Sequence, residues 1–307
     1  MNKQACVIAL GEIGGKRFMF KNRDRNYIPE LKVYHVVRKG VEMVYFKDEL
    51  TGWCEGINEF GIAVANAALM VVWDEKEGGQ KKDNSVLGVI GSKDAERILS
   101  CLECRTFDEA LLCATTYNSG IKGHTFLSDG VRASSIEHTA KHRAYVEDLS
   151  WDDFHVRSNH GLKYPSAGYT IGENKESSHR RMETTKNILT RLKRNSPEDF
   201  IKEVYRQRFE NLSDPYNVVR KTDNMFTSSQ VLYDFEKKKI TLFLIPDDSD
   251  YLGCEVKVYR PKPSCSFEVK RLGYFDDTGR LSISTVRGNP VRVASSYRGR
   301  KNLPPFS

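Results

Sequence analysis

Short apolar runs rich in Val, Ile, Phe and Tyr, set off by polar and turn residues, dominate the first seventy residues, the pattern of β-strands. CVIALGE and RFMFKNRD flank Gly14-Gly15, which predicts a hairpin closed by a Gly-Gly turn. VYHVVRKG and VEMVYFKDE repeat the pattern around Lys39-Gly40, and WCEGINEFGIAVANAAL adds two short strands around Asn58-Glu59-Phe60-Gly61. Two helices are predicted next. Ser92 is placed to cap the first, and Thr106 with Glu109 forms a capping box for the second, TFDEALLCATTY. Four strands follow, HTFLSDG, ASSIEHT, HRAYVEDL and DFHVRSNHG. Helices return at 177–194 and 197–211, the latter with Ser196 as N-cap and Pro197 in the first turn. SQVLYDFEKKKITLFLIP reads as a last hairpin and EVKVYRP as a further strand. Runs of strands separated by helix pairs argue α+β, not alternating βαβ units.

Composition narrows the class. With 39% hydrophobic and 29% charged residues, the 307-residue chain is expected to fold as a soluble globular protein. No apolar run reaches the roughly 18–20 residues of a membrane span. No cationic segment precedes an apolar core at the N-terminus, so the expected compartment is the cytoplasm. Seven cysteines without paired spacing fit a reducing environment. Cys101 and Cys104 form a CxxC, but no second ligand pair follows, so the expectation is two helical thiols and no metal. The formal charge of +7 is unevenly spread. Residues 256–307 hold 11 Lys/Arg and 3 Asp/Glu, leaving 37 and 38 for residues 1–255. The basic excess therefore belongs to the C-terminal segment, where Arg interleaved with Tyr has the composition of a phosphate- and base-binding tail.

The chemistry centres on Cys6, which opens the first strand. An N-terminal cysteine supplies a nucleophilic thiol and, from its own α-amine, a general base. That use requires removal of Met1 to Ala5. As a strand residue alone, Cys6 reads first as a small apolar core side chain, and only the rest of the pattern favours the nucleophile. Asp24 ends the strand paired with that of Cys6, so the hairpin returns a carboxylate beside it, where it would orient the ammonium.

Five stretches, taken in order, make the chain resemble the N-terminal nucleophile amide hydrolases of the choloylglycine hydrolase and penicillin acyltransferase type. They are Cys6 at a strand start; KNRDRNY (21–27), similar to R-N-x-D; GINEFGIAVANAAL (56–69), similar to G-x-N-E-x-G-L-x-V; FLSDGVRASSIEH (126–138); and HVRSNHG (155–161), similar to a Thr-Asn-His motif. The resemblance implies a four-layer αββα sandwich and hydrolysis, or acyl transfer, at a linear non-peptide amide C–N bond through a thioester on Cys6. It implies neither metal nor organic cofactor. Its carried-over roles are Cys6 as nucleophile, Asp24 holding the amine, Asn66 as oxyanion donor and Asn159 across the site. Arg180 matches the family's arginine, with Arg181 as the alternative. Arg23, Trp53 and His160 are candidates for substrate contact, with Phe60 and Trp73 as further aromatics near them. Lys21 replaces the arginine of the bile-salt hydrolases, and Asn66 is offset by about two residues from the oxyanion asparagine of some relatives, which keeps Asn58 in view.

The domain expectation is a short leader at 1–5, a hydrolase domain at 6–260 and a basic extension at 261–307. The expected partner is a small-molecule amide. Nucleic acid enters only through the tail, a homo-oligomer is compatible, and no membrane is expected. Two other readings stay open on the sequence: a non-catalytic protein of the same fold whose tail binds nucleic acid or protein, and a Cys-His peptidase using Cys6 with His160. The NRD element also resembles a second N-terminal-cysteine family named for Asn-Arg-Asp-Glu, but Arg25 stands in place of the glutamate.

Overall fold

The computed structural model describes residues 4–25, 27, 29–69, 89–116, 120–139, 141–170, 172–210, 213–222, 225–245, 256–257, 264–276, 278 and 280–285. The first hairpin pairs β1 (Gln4–Ile13) with β2 (Lys16–Arg25) through Gly14 and Gly15, whose φ of +57° and +75° fit a turn that L side chains enter at a cost. The next strands are β3 (Leu31–Arg38), β4 (Val41–Asp48), β5 (Cys54–Asn58) and β6 (Ala63–Ala67). Helices α1 (Val89–Leu102) and α2 (Phe107–Thr115) come next. The Thr106–Glu109 capping box is present at α2. Helix α1 begins three residues before Ser92, so Ser92 lies inside the helix and is not its cap. Cys104 falls beyond the end of α1, and its Sγ faces that of Cys113 at 3.7 Å, not Cys101.

Strands β7 (Gly123–Ser128), β8 (Ala133–His138), β9 (Tyr145–Asp148) and β10 (His155–Arg157) lead to α3 (Gly172–Arg191) and α4 (Pro197–Glu210). Helix α3 starts five residues earlier than the apolar pattern indicates, because its first turns, GENKE, are polar and exposed. Ser196 caps α4, its Oγ accepting from Asp199 N at 3.1 Å. The chain continues with β11 (Lys221–Thr222), β12 (Met225–Asp234), β13 (Lys239–Leu244), β14 (Val256–Lys257), β15 (Ser266–Phe275) and β16 (Leu281–Thr285).

These strands form two eight-stranded sheets, antiparallel except where β15 joins β13 and β14 joins β3. The first runs β10-β1-β2-β12-β13-β15-β16, with β11 paired to β12, and the second β14-β3-β4-β5-β6-β7-β8-β9. Three apolar clusters define the layers. One, with Ile8, Leu10, Met19, Phe46, Ile57, Val231 and Tyr233, lies between the sheets. A second packs Val7, Phe18 and Phe20 of the first sheet under Ile188 and Leu189 of α3 and Phe200 and Tyr205 of α4. The third packs Met43, Tyr45 and Val64 of the second sheet under Ile98 and Leu102 of α1 and Phe107 of α2. The central strands thus carry buried apolar side chains on both faces, as a sheet covered twice requires. Phe200 fixes α4 onto the first sheet, its ring edge-on to Phe20 at 4.9 Å, an aromatic geometry contributing about 0.5–1.5 kcal/mol beyond burial. The architecture is α+β, in the layer order α3/α4, first sheet, second sheet, α1/α2.

Candidate functional site

The alternation of strand side chains decides which groups meet. On β1, Cys6 shares the inter-sheet face with Ile8 and Leu10, while Val7 and Ala9 face the helices. Cys6 is 3% exposed. In register, Cys6 pairs with Arg23 and Ala5 with Asp24. Arg23 and Lys21 share the inter-sheet face with Met19 and both reach Glu55 Oε1 on β5. Asn22 and Asp24 take the opposite face, under α3.

Backbone groups of Cys6 bridge these two environments. Its N–H donates to Asn159 Oδ1 at 2.9 Å, and its carbonyl accepts from Ser158 Oγ at 3.1 Å. Asn159 lies two residues beyond β10 and is held on both sides: its N–H donates to Ser178 Oγ at 2.8 Å, and its Nδ2 to Ala68 O at 2.7 Å. Asp24 is fully buried. Its Oδ1 accepts from Asn22 Nδ2 and Thr227 Oγ1, both at 2.8 Å, and its Oδ2 from Arg220 Nε at 3.1 Å and Arg181 Nη1 at 3.4 Å. Arg181 is the junction of the cluster. The same Nη1 lies 3.5 Å from Cys6 O, and Nη2 donates to Asn159 Oδ1 at 3.2 Å. Burial first, and then Arg220, pushes the Arg181 guanidinium down to about 10, so it stays charged at neutral pH.

The structure separates the two arginine candidates. Arg180 is exposed, paired with Glu176 and stacked over the Tyr216 ring at 4.3 Å, where it lines a surface cleft with Glu183 and Asp214. It does not approach Cys6. Arg181, one position on, does. Helical phase is the reason: Ser177, Ser178, Arg181, Thr185 and Ile188 form the buried stripe of α3, and Arg180 falls on its solvent side.

Asn66 is also misplaced for the role its motif implied. It alternates with Ala63, Ala65 and Ala67, which face the inter-sheet core with Cys6, so its side chain lies on the far face of the second sheet. Its Nδ2 donates to Lys122 O at 2.9 Å and Thr125 Oγ1 at 2.8 Å, which uses both hydrogens. Asn58 closes its own turn: Oδ1 accepts from Phe60 N and Ile62 N, and Nδ2 donates to Leu102 O and Cys104 O. The side-chain N–H groups of both asparagines are thus taken up by bonds within the second sheet, its flanking turns and the end of α1.

His160 is buried and bonded through Nδ1 to Ser178 Oγ at 2.8 Å, with its ring stacked on His179 at 3.6 Å. Burial, and next the His179 ring, pushes it down to about 3, leaving it neutral and a weak base at pH 7. Trp53 is 7% exposed, packed in the cluster beneath α1 and α2, with Lys21 Nζ 5.8 Å from its ring. Phe60 is 40% exposed. Trp73 and, of the basic extension expected at 261–307, residues 261–263, 277, 279 and 286–307 lie outside the described residues, while β15 and β16 within it belong to the first sheet. Glu137 is a backbone cradle, accepting from the N–H groups of Leu162, Lys163 and Tyr164.

Among the described residues, His35, Glu42 and Cys265 bring their ligand atoms within 4.8 Å of one another. The His35–Glu42 contact is a direct hydrogen bond of 2.7 Å, and Ser264 N donates to the same carboxylate oxygen, so this group is held together without an ion.

Two predictions arise from this geometry. Gly168, at φ +75°, has Asn159 O within 2.2 Å of where a Cβ would stand, and Tyr169 N donates to that same oxygen. Gly168→Ala should therefore displace Asn159 from Cys6 N, at a cost of about 1–3 kcal/mol. It should lower the alkylation rate of Cys6 more than it lowers the denaturation midpoint. Equal rates in the two proteins would show that Asn159 does not position Cys6. The second concerns Glu55. Burial alone would raise its carboxyl, but Arg23 and then Lys21 outweigh it and hold the group at about 2, against an ordinary 4.5. A depressed folded-state value gives stability that is complete above about 4.5 and lost as pH falls toward 2. The stability-against-pH slope between those values should be flatter in Glu55→Gln, read by urea titration at each pH. An unchanged slope would refute the assignment.

No protein-family model and no curated protein matches the sequence. Among solved structures, the chain is similar to an N-acylethanolamine-hydrolyzing acid amidase ortholog from Caenorhabditis elegans. The identity is 15% over 80% of this chain and 96% of that one, with a TM-score of 0.50. It also matches penicillin V acylase from Agrobacterium tumefaciens, with 14% identity, 77% and 86% coverage and a TM-score of 0.43. The chain has the fold of the N-terminal nucleophile hydrolases, the αββα sandwich implied by its motifs. Among the described residues no helix is long and apolar enough to cross a membrane.

Proposed function

We propose that the chain is a cysteine amidohydrolase of small-molecule amides, acting through Cys6 once residues 1–5 are removed. The observation that carries this reading is the convergence of Asn159, Arg181 and, through Arg181, Asp24 on the backbone of one cysteine. A core cysteine has no need of a buried asparagine on its nitrogen and an arginine–carboxylate cluster behind it. Ala5 stands opposite Asp24 in the β1–β2 register, so its departure opens the place of the new α-amine toward that carboxylate. The amine keeps Asn159 Oδ1 as its acceptor and takes the thiol proton. The Cys6 sulfur then attacks the amide carbon, the C–N bond breaks, and the amine leaves with the proton. Water attacks the thioester, releasing the carboxylic acid and restoring the thiol. An amine in place of water gives acyl transfer by the same steps.

A Cys-His peptidase fits less well, because His160 is bonded to Ser178, stacked on His179 and a poor base. The test combines the intact mass of the purified chain with turnover of a panel of chromogenic amides. Loss of Met1 to Ala5 with turnover supports the reading; full activity with Met1 retained ends the α-amine mechanism.

A further inference from the structure

Three adjacent strands place a row of three polar side chains across the inter-sheet face. In register, Cys6 of β1 pairs with Arg23 of β2, and Arg23 pairs with Ser229 of β12. All three point between the sheets: Cys6 with Ile8, Arg23 with Met19, and Ser229 in phase with Val231 and Tyr233. Arg23 and Ser229 are each 1% exposed. Arg23 binds Glu55 through Nη2, but among the described residues its Nη1 has no hydrogen-bond partner, and neither does Ser229 Oγ. A buried guanidinium hydrogen and a buried hydroxyl without partners are costly, and here two such groups stand on adjacent strands, on one face, in register with Cys6. The charge is unbalanced as well. Lys21 and Arg23 share one carboxylate, Glu55. Burial, together with Arg23 and against the pull of Glu55, pushes the Lys21 ammonium toward its neutral form.

Building on the amidohydrolase reading, we infer that Arg23 Nη1 and Ser229 Oγ bind a carboxylate carried on the acyl part of the substrate. The anion belongs to the acyl part because Cys6 carries no charge once its sulfur is in a thioester, and the cations beside it then need a partner that stays with the acyl-enzyme. Guanidinium and hydroxyl suit the two oxygens of one carboxylate. Strands lie about 4.8 Å apart, so Cys6 and Ser229 stand about 10 Å apart across β2. That span suits an acyl chain of about four to six carbons with an acid at its far end, that is, a monoamide of a short dicarboxylic acid. The place differs from the amine-holding cluster, which lies on the opposite face of β2.

The test compares glutaryl- and pentanoyl-p-nitroanilide, which differ in the terminal acid, on the full chain. The wild-type ratio of kcat/KM is expected to favour glutaryl by at least about 100-fold, since each of two buried polar groups left unpaired without the acid costs about 10-fold or more. Arg23→Met should bring that ratio close to one; it removes the cation yet leaves Lys21 to pair with Glu55. Ser229→Ala, the milder change, should lower it about 10-fold. A wild-type ratio near one, or a ratio unmoved in both variants, overturns the inference. If neither anilide is cleaved, the amidohydrolase reading fails separately, and calorimetry decides this one. Glutarate binding to the wild-type chain, with pentanoate silent and the signal lost in Ser229→Ala, supports the anion site; no glutarate binding overturns it.

Discussion

Cys6→Ala is expected to leave residues 1–5 on the chain and to reduce amide turnover by at least about 10⁴-fold, the scale of losing a covalent nucleophile. The substitution removes one sulfur from a site that is 3% exposed and leaves the hydrogen bonds of Cys6 in place, because its contacts with Asn159, Ser158 and Arg181 all use its backbone N–H and carbonyl. The variant should therefore fold, and its denaturation midpoint should fall by no more than a small core truncation causes. Mass and activity together carry the information. Autocatalytic removal needs the Cys6 sulfur to attack the Ala5 carbonyl. The Cys6→Ala chain therefore keeps the leader, whereas Cys6→Ser processes slowly, a hydroxyl being the weaker nucleophile. If Cys6→Ala loses the leader normally but is inactive, an aminopeptidase does the processing and Cys6 serves catalysis alone. An active Cys6→Ala removes the cysteine from the mechanism altogether.

How far the sequence leads depends on the kind of signal. The hairpins were legible because apolar strand-forming runs and glycine turns are local properties; β1–β2 closes at Gly14-Gly15 as the pattern indicates. The Cys6–Asp24 hairpin partnership was legible for the same reason, since strand spacing and a two-residue turn fix the register to within a position. What was not legible is which face a polar residue takes within a motif. Asn66 looks like a donor by its place in AVANAA, yet the alanines at 63, 65 and 67 mark the inward face and put Asn66 on the other. The signal was present in the alternation of the small residues with Val64 and Asn66. Arg180 and Arg181 differ by about 100° of helix, and the buried phase set by Thr185, Ile188 and Leu189 selects Arg181. Arg220 and Glu55 had no such signal. Arg220 follows an irregular segment, and Glu55 sits in a short strand whose partners, Lys21 and Arg23, come from the other sheet. Pairing between layers is a tertiary property that no local period records.

Asp24→Asn should be the most destabilising single polar change in the site, about 3–5 kcal/mol, because it keeps the shape and removes the charge. Both oxygens of Asp24 act only as acceptors, from Asn22, Thr227, Arg220 and Arg181. An asparagine turns one of those acceptors into a donor and aims it at a donor. The larger effect is electrostatic. Arg181 is fully buried and Arg220 7% exposed, and the two guanidiniums already repel each other enough that Arg220 helps push Arg181 down. Without the carboxylate, two buried cations face each other unpaired. Removing one of them should recover part of the loss, so Asp24→Asn combined with Arg220→Met should be more stable than the sum of the two single changes predicts. Urea denaturation of the four proteins gives this coupling directly. Strict additivity would mean that the carboxylate is not what holds the arginines, and Arg181 would then need another reason to lie between Cys6 O and Asn159 Oδ1. The coupled outcome would also explain why the cluster is charged at all. Its stability depends on the same carboxylate that the freed amine of Cys6 would meet, so the chain cannot lose the positioning group and keep its fold unharmed.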